Sequence, residues 1–521
     1  MRHAFALARA LALGGAALLL TARARGEVPG SQEEIIDDPL LSKGHAAPPP
    51  RAETAPEPRL WRAELVSRAS AQTSWDDLPG GPKDVVELRT RAVLSAGQTV
   101  SERFRWEIGA RFDAYAHAPK GQGTLLGPPA YYFEARPWEA YVDGAISRRL
   151  RLKIGNQIIS WGRLDVGSAA DVLSPYDLRE GPAVDVDALR MPTPSALLTW
   201  FPVDAFQLDV GYTPFFTPHR FDVAGTNYAL LGPNAPAGIA PLLAKLRGQL
   251  DPSSFVRLTD DLATINAPPP SPDNGEAAAR AVWRAGPYDL AVTYGFVRSK
   301  FPALSFNPAL AKLLTSTSTA DTLGAASAVG QAVNQGVPLV TARYDRYHQL
   351  AMDLEGTAGP FTLAGEVGYS PSRTLFARDA VTGLPIAATT GLAQTGLKAT
   401  YTHDTSLVSA EASVFAATDE APPGATGQPQ TYYILGPHRR LVLGLLAGHH
   451  EVGKHHLDGA VLATSSGPSC SFIPRYGYQA TDAFLFGAGA AFFAGPRGDD
   501  GSIATAQKGL DQVFVYADWR P

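Results

Sequence analysis

The densest set of side chains able to do chemistry is His449-His450 and His455-His456, which flank Glu451-Val452-Gly453-Lys454. Across a hairpin, two imidazoles from facing strands can converge on one metal ion. Adjacent residues of a strand point to opposite faces, however, so at most two of the four histidines share a face. Spacing supplies no third ligand, and the expectation is a His cluster at a hairpin end near a membrane interface, with no metal and no cofactor. Ser, His and Asp are scattered, and no G-x-S-x-G elbow is present to seed a hydrolytic triad. The single cysteine, Cys470, excludes an intramolecular disulfide and has no neighbours that would make it a nucleophile. Asp76-Asp77 and Asp499-Asp500 lack the ligand spacing of a calcium loop. Gly487-Ala488-Gly489 sits in an apolar strand pattern and opens no helix, so it does not read as a phosphate loop.

Charge is the remaining chemistry, and it concentrates in one connection. Residues 161–192 hold Arg163, Asp165, Asp171, Asp177, Arg179, Glu180, Asp185, Asp187 and Arg190. Such a segment suits solvent, or it suits a water-filled interior that it would narrow. A second group of charges alternates with apolar residues: Arg89, Arg91, Arg103, Arg105, Glu107, Arg111 and Arg151.

The elements that carry these charges are strands. Leu150, Leu152 and Ile154 alternate with Arg151, Lys153 and Gly155, a period of two that no helix can gather on one face. The same alternation recurs at 60–70, 83–96, 102–116 and onward to 510–519. Tight junctions near 97–101, 146–148, 204–205, 286–287, 357–359, 404–405 and 451–454 alternate with long connections. A sandwich has no reason to keep its long connections at one end, whereas a transmembrane barrel does. The reading is all-β: an antiparallel transmembrane barrel of about eighteen strands, or about sixteen if spans among 194–203, 471–482 and 483–493 fall away. Short turns would face the periplasm with both termini, and long loops the exterior. Pro137 inside the fourth strand implies a bulge or a later start. Pairing Leu94 with Phe104 would set Arg91 against Glu107 and Glu87 against Arg111, and leave Arg105 opposite Val93 without a cross-strand carboxylate. Two loops carry helical spacing, at Ile239–Leu250 and after the Asn307-Pro308 cap.

Gly155-Asn156-Gln157, Trp161-Gly162-Arg163 and Ser174-Pro175-Tyr176-Asp177 resemble the GRQ…WGR…SPRD signature of a large family of Gram-negative outer-membrane barrel proteins. That family is similar in turn to the alginate-export porins. Asn156 stands where the signature has Arg, and Tyr176 where it has a basic residue. The resemblance implies a barrel, with residues 161–192 as its third long loop; by analogy with porins, a third loop folds inward and narrows the channel.

Composition agrees. Gly and Pro are plentiful (50 and 43), and only 18% of residues are charged, which suits turns and alternating strands better than helices. Residues 1–24 read as a secretory signal, with Arg2 and Arg9 ahead of the apolar Ala10–Leu20 and an Ala22-Arg23-Ala24 cleavage site. Their removal takes three Arg from 45 basic residues against 50 acidic ones, leaving net −8, which does not favour nucleic acid. Residues 25–59, acidic and Pro-rich, read as a flexible periplasmic tail ahead of a barrel over 60–521.

The expected activity is passage or export of a polar, anionic or saccharide-like solute through a charged lumen, not catalysis. Lumen and constriction candidates are the alternating charges above with Arg163, Asp165, Asp171, Asp177 and Arg179. Outer-membrane lipid, lipopolysaccharide and the barrel-assembly machinery are the expected partners. A hydrophobic-solute or lipid channel, a plugged structural or adhesive barrel, and an outer-membrane hydrolase stand as alternatives.

Overall fold

A computed structural model describes residues 61–72, 83–101, 103–120, 131–180, 186–220, 269–316, 318–378, 385–420, 431–432, 439–465, 469–494 and 511–520. The signal and tail readings, the Ile239–Leu250 helix, Asp76-Asp77 and Asp499-Asp500 fall outside these residues.

The first nine strands are β1 (Trp61–Gln72), β2 (Lys83–Ser101), β3 (Phe104–Lys120), β4 (Tyr131–Ser147), β5 (Leu150–Gln157), β6 (Thr193–Val203), β7 (Phe206–Thr213), β8 (Glu276–Ala285) and β9 (Tyr288–Arg298). A small separate hairpin follows, β10 (Ala303–Phe306) with β11 (Val340–Arg343). The series continues with β12 (Arg346–Ala358), β13 (Phe361–Arg378), β14 (Pro385–His403), β15 (Ser406–Ala417) and the two-residue β16 (Thr431–Tyr432). It ends with β17 (Arg440–Val452), β18 (His455–Thr464), β19 (Ser469–Thr481), β20 (Phe484–Ala494) and β21 (Gln512–Trp519).

Each wall strand pairs antiparallel with its neighbours in chain order, and β21 returns to β1 with Trp519 opposite Leu65. The sheet of 19 strands, less β16, which only extends β13, is therefore a closed barrel of 18. Closure leaves no unpaired edge, the condition for a sheet in hydrocarbon. Two-residue turns join β2–β3, β4–β5, β6–β7, β8–β9, β12–β13, β14–β15, β17–β18 and β19–β20, all at one end. Gly286, Gly359 and Gly453 supply positive φ at three of these turns.

Alternation sorts the wall into two faces. Leu88 (50% exposed) and Ile108 (60%) point out, while their strand neighbours Glu87, Arg89 and Arg111 are buried inside. Around the short-turn end, Trp61, Phe104, Trp200, Trp283, Tyr288, Phe361 and Trp519 are exposed on the outer surface. An outward apolar band closed by an aromatic girdle is the chemistry of a bilayer-spanning barrel.

The register of β2 with β3 differs from expectation. Leu94 opposes Ala110, not Phe104, because β2 continues to Ser101 and the turn lies at 102–103. The longer hairpin pairs Gln98 with Trp106 and Thr99 with Arg105, where a loop would leave backbone groups unpaired. The slip is six residues, an even number, so every side chain keeps its face. Arg91 then faces Asp113, Arg111 faces Val93, and Arg105 faces Thr99 on one side and Asp143 of β4 on the other. Pro137 does sit at a bulge, where the β3–β4 register shifts between Ile108 and Ala110. Asn307 caps α1 (Pro308–Thr315), accepting from the Ala309 amide at 2.9 Å. A second helix, α2 (Thr319–Asn334), follows it and was not anticipated.

Candidate functional site

The connection between β5 and β6 is built to leave the wall and cross the interior. Gly155 starts the departure at φ +140, where a Cβ would stand 2.2 Å from the Ala140 carbonyl oxygen. Gln157 is fully buried, and its Nε2 donates to the Lys153 and Ser195 carbonyls at 3.1 and 3.2 Å. Ser174 ties the two limbs of the loop together, donating to the Ile159 carbonyl at 2.8 Å and accepting from its amide at 3.0 Å. Pro175 fixes the return, its carbonyl accepting from the Met191 amide at 2.8 Å. Trp161 is buried with Ile159, Val172 and Leu173 against Ala278, Val297 and Tyr347 of the wall. Gly162 admits Ser168, whose Oγ would lie 2.0 Å from a Cβ there.

Beyond Trp161 the segment docks on β12–β15, up to eight strands round the ring from its root in β5. Glu366 of β13 accepts from the amides of Arg163, Leu164 (3.1 Å) and Ala169 (2.9 Å), and from the Ser168 hydroxyl at 2.8 Å. Glu411 of β15 accepts from the amides of Asp165 and Val166 at 2.7 and 3.0 Å. Lys398 of β14 reaches Asp165 at 2.7 Å. Arg163 contacts Asp353 and Glu355 at 3.3 Å, and Asp353 also holds Arg280 at 2.7 Å. Arg280 in turn donates to the Trp161 carbonyl. Two wall carboxylates thus act as backbone receptors, and a chain of alternating charges locks the bend.

The returning limb docks on β2–β4. Arg111, 1% exposed, forks onto Asp113 at 2.8–3.0 Å, stacks over Trp138, and reaches the Ala188 carbonyl at 3.4 Å. Arg89 bonds Glu87, lies over the Tyr115 ring and donates to the Arg179 carbonyl at 2.7 Å. Arg136 meets Asp177 at 3.1 Å, and Asp177 is also held by Arg179 at 2.6 Å. Burial alone would raise the Asp177 carboxyl, but Arg179, Arg220 and Arg136 hold it well below the usual carboxylate range. Arg190 meets Asp171 at 3.2 Å, and Asp171 also accepts from the Tyr176 hydroxyl at 2.7 Å. Burial, then the Asp171 charge, pushes that phenol well above its ordinary value. His219, from the start of the β7–β8 connection, accepts the Tyr176 amide at Nδ1 (2.9 Å) and packs edge-on to Phe301. Burial, then Lys300 and Arg373, pushes His219 down to about 3, so it is neutral at physiological pH.

Arginines meet in the register of this wall: Arg68 stands opposite Arg89, and Arg111 opposite Arg136. Like charges face to face are unfavourable unless carboxylates intervene, which Glu87, Asp113 and Asp177 do. Arginines and carboxylates therefore interleave on the inner face of β1–β4, while Asp353, Glu366 and Glu411 line β12–β15, and the described residues of the β5–β6 connection run between the two walls.

The profile of a family described as "Protein of unknown function (DUF1302)" matches residues 128–508. The chain belongs to that family. None of the curated proteins matches it. Among solved structures, it is similar to Salmonella typhi OmpF in complex with daunomycin, at 10% identity over 88% of this chain and 97% of that one, TM-score 0.39. It is likewise similar to Pseudomonas aeruginosa OccK5 (OpdH), at 9% identity, 88% and 97% coverage, TM-score 0.42. Acinetobacter baumannii OccAB3 aligns at 8% identity, 88% and 99% coverage, TM-score 0.43.

In this DUF1302 chain most sequence-predicted residues converge, and a few do not. Arg89, Arg111, Arg163, Asp165, Asp177 and Arg179 join the inserted segment to the walls, while Asp171 ties the segment to itself through Arg190 and Tyr176. Arg91 pairs with Glu64 at 3.4 Å, and Arg151 forks onto Asp143 at 2.8 and 2.9 Å. Arg105, expected to lack a cross-strand carboxylate, stands opposite Asp143 of β4 and meets Glu107 at 3.2 Å, two residues on along the same strand face. Glu107 also accepts from the Tyr141 hydroxyl at 2.8 Å. Arg103 lies in the short β2–β3 turn and is exposed, because the hairpin extends further than expected. The sequence reading missed Glu366, Glu411, Asp353, Arg280 and Arg136. Glu411 is the one charge of β15, and Glu366 lies in the apolar and small-residue run Phe361–Tyr369, which is the signal that would have found those two; the others sit among further charges.

Proposed function

We propose that this barrel is an outer-membrane channel for a polar, anionic solute, narrowed by residues 161–179. The observation that carries the reading is the bridging of the lumen by that segment, from Glu366 and Glu411 on one wall to Arg89 and Arg136 on the other. Interleaved arginines and carboxylates at a constriction orient a polar or charged solute, as charged rings do in other pores. The arginines of β1–β4, though interleaved with carboxylates, are the groups that would meet a carboxylate, phosphate or acidic saccharide in transit. In this reading the short turns and both termini lie in the periplasm, lipopolysaccharide surrounds the long-loop end, and the barrel-assembly machinery inserts the chain.

A second reading takes a hydrophobic or amphipathic solute. Its support is two inward apolar clusters, one of Leu392 and Leu441 with Phe415 packed on it, the other of Ile473, Phe493 and Phe514. Planar-bilayer recording of the purified barrel separates the readings. Anion-preferring steps support the first. Conductance without charge preference, blocked by apolar acids, supports the second. Silence from a folded barrel supports a plugged structural role, and turnover of esters or peptides a hydrolase.

A further inference from the structure

The turn that joins β17 to β18 carries the four histidines, and the structure divides them as strand geometry requires. His450 bonds the Ser406 hydroxyl at 2.8 Å, and His455 bonds the Tyr476 hydroxyl at 2.7 Å. His449 and His456 share the opposite, inward face and are buried at 4% and 5%. What spacing did not reveal is that Glu451, two residues beyond His449, lies directly opposite His456 on that same face. His449 Nε2 lies 2.8 Å from the Glu451 carboxylate, and His456 Nδ1 lies 3.2 Å from it. One ligand atom from each of the three falls within 4.8 Å of the others.

The decisive contact is on the other side of the His449 ring. Its Nδ1 lies 2.7 Å from Asp458, its cross-strand partner. A carboxylate at Nδ1 fixes that nitrogen as the N–H donor and leaves the Nε2 lone pair aimed at Glu451. Neutral imidazole and ionised carboxylate would then oppose two lone pairs, an arrangement that needs a cation between them. A proton on His449 is one such cation; a metal shared with His456 is the other. Two imidazoles and one carboxylate, with a second carboxylate behind one imidazole, is the donor set of zinc sites that keep a fourth position open. Mixed nitrogen and oxygen donors suit zinc and its first-row neighbours over calcium or magnesium, which prefer oxygen alone.

We propose that His449, Glu451 and His456 bind one divalent transition-metal ion inside the short-turn end of the barrel, with Asp458 orienting His449. The ion clips β17 to β18 and presents an open coordination position to the lumen. Arg475 of β19 stands opposite Asp458 in the register.

The test uses the full-length barrel, purified in detergent, stripped with chelator and titrated with Co2+, whose visible absorption reports geometry. One Co2+ per barrel, displaced by Zn2+, is expected, with binding abolished by His456→Ala and by Glu451→Gln. Asp458→Asn should weaken binding by about 10–100-fold while the chromophore persists, as loss of an outer carboxylate does. His450→Ala and His455→Ala should leave affinity unchanged. Heat-modifiable migration checks that each variant is folded, and His456→Gln replaces His456→Ala if the latter is not. A folded wild-type barrel that binds no Co2+, or binding equally strong in Glu451→Gln, overturns the site.

Discussion

Replacing Glu366 by Ala tests whether the inserted segment is held by wall carboxylates. The side chain is 2% exposed and accepts from three amides and one hydroxyl of residues 163–169. A hydrogen bond to a charged group contributes about 1.5–3 kcal/mol in a dry site, but lumen water can re-solvate part of what is lost, so about 1 kcal/mol per bond is a fair net. Four bonds then amount to about 4 kcal/mol, which shifts the balance between docked and undocked segment by about a thousandfold. Glu411, Lys398 and the Asp353–Arg163 contact remain, so the segment should fluctuate and not detach outright. Single-channel recording is the assay. Wild type should give steady steps; Glu366→Ala should give larger, noisier steps, and Glu366→Ala with Glu411→Ala larger ones still. Glu366→Gln, which keeps one acceptor oxygen, should fall between. Heat-modifiable migration checks the barrel itself, whose wall contacts do not involve this carboxylate. Identical step size and noise in all four proteins would mean that the segment does not limit the current, and the reasoning would fail.

Three further outcomes follow from the same geometry. Because His219 in the folded chain lies near 3 and an unfolded histidine near about 6.5, the unfolded form takes up the proton first; docking of residues 176–179 is fully stable above about 6.5 and weakens as pH falls toward 3. Channel noise should rise over that range, and His219→Asn, which keeps an acceptor, should flatten the dependence. Shortening residues 161–192 should raise conductance without preventing barrel assembly; unchanged conductance would place the segment outside the current path. Arg105→Glu should lower anion preference most at low salt, where screening is weakest, and selectivity indifferent to this change would remove the β2–β3 face from the pathway.

The wall was legible in the sequence because alternation and turn spacing are local. Spans 194–203, 483–493 and 510–519 lie within two residues of β6, β20 and β21, and the seven tight junctions read from the sequence lie within a few positions of two-residue turns. Register between β2 and β3 was not legible, since charge complementarity is satisfied twice: Arg91 can face Glu107 or Asp113, six residues apart on one face. Hydrogen-bond completion through Thr99 and Ser101 chose the second. The site divides along the same line. The crossing segment announced itself through its own charges, but its receptors Glu366 and Glu411 lie 198 to 246 residues further on, and which carboxylate meets which amide depends on curvature that no local pattern encodes. The histidine hairpin shows the limit from the other direction. Spacing separated the two faces correctly, yet counting only histidines hid Glu451, which reaches the same face through the two-residue period that excluded His450. A ligand search along a strand must therefore pool all donor types at i and i+2 with their cross-strand partners, because the sheet, not the residue class, decides what meets.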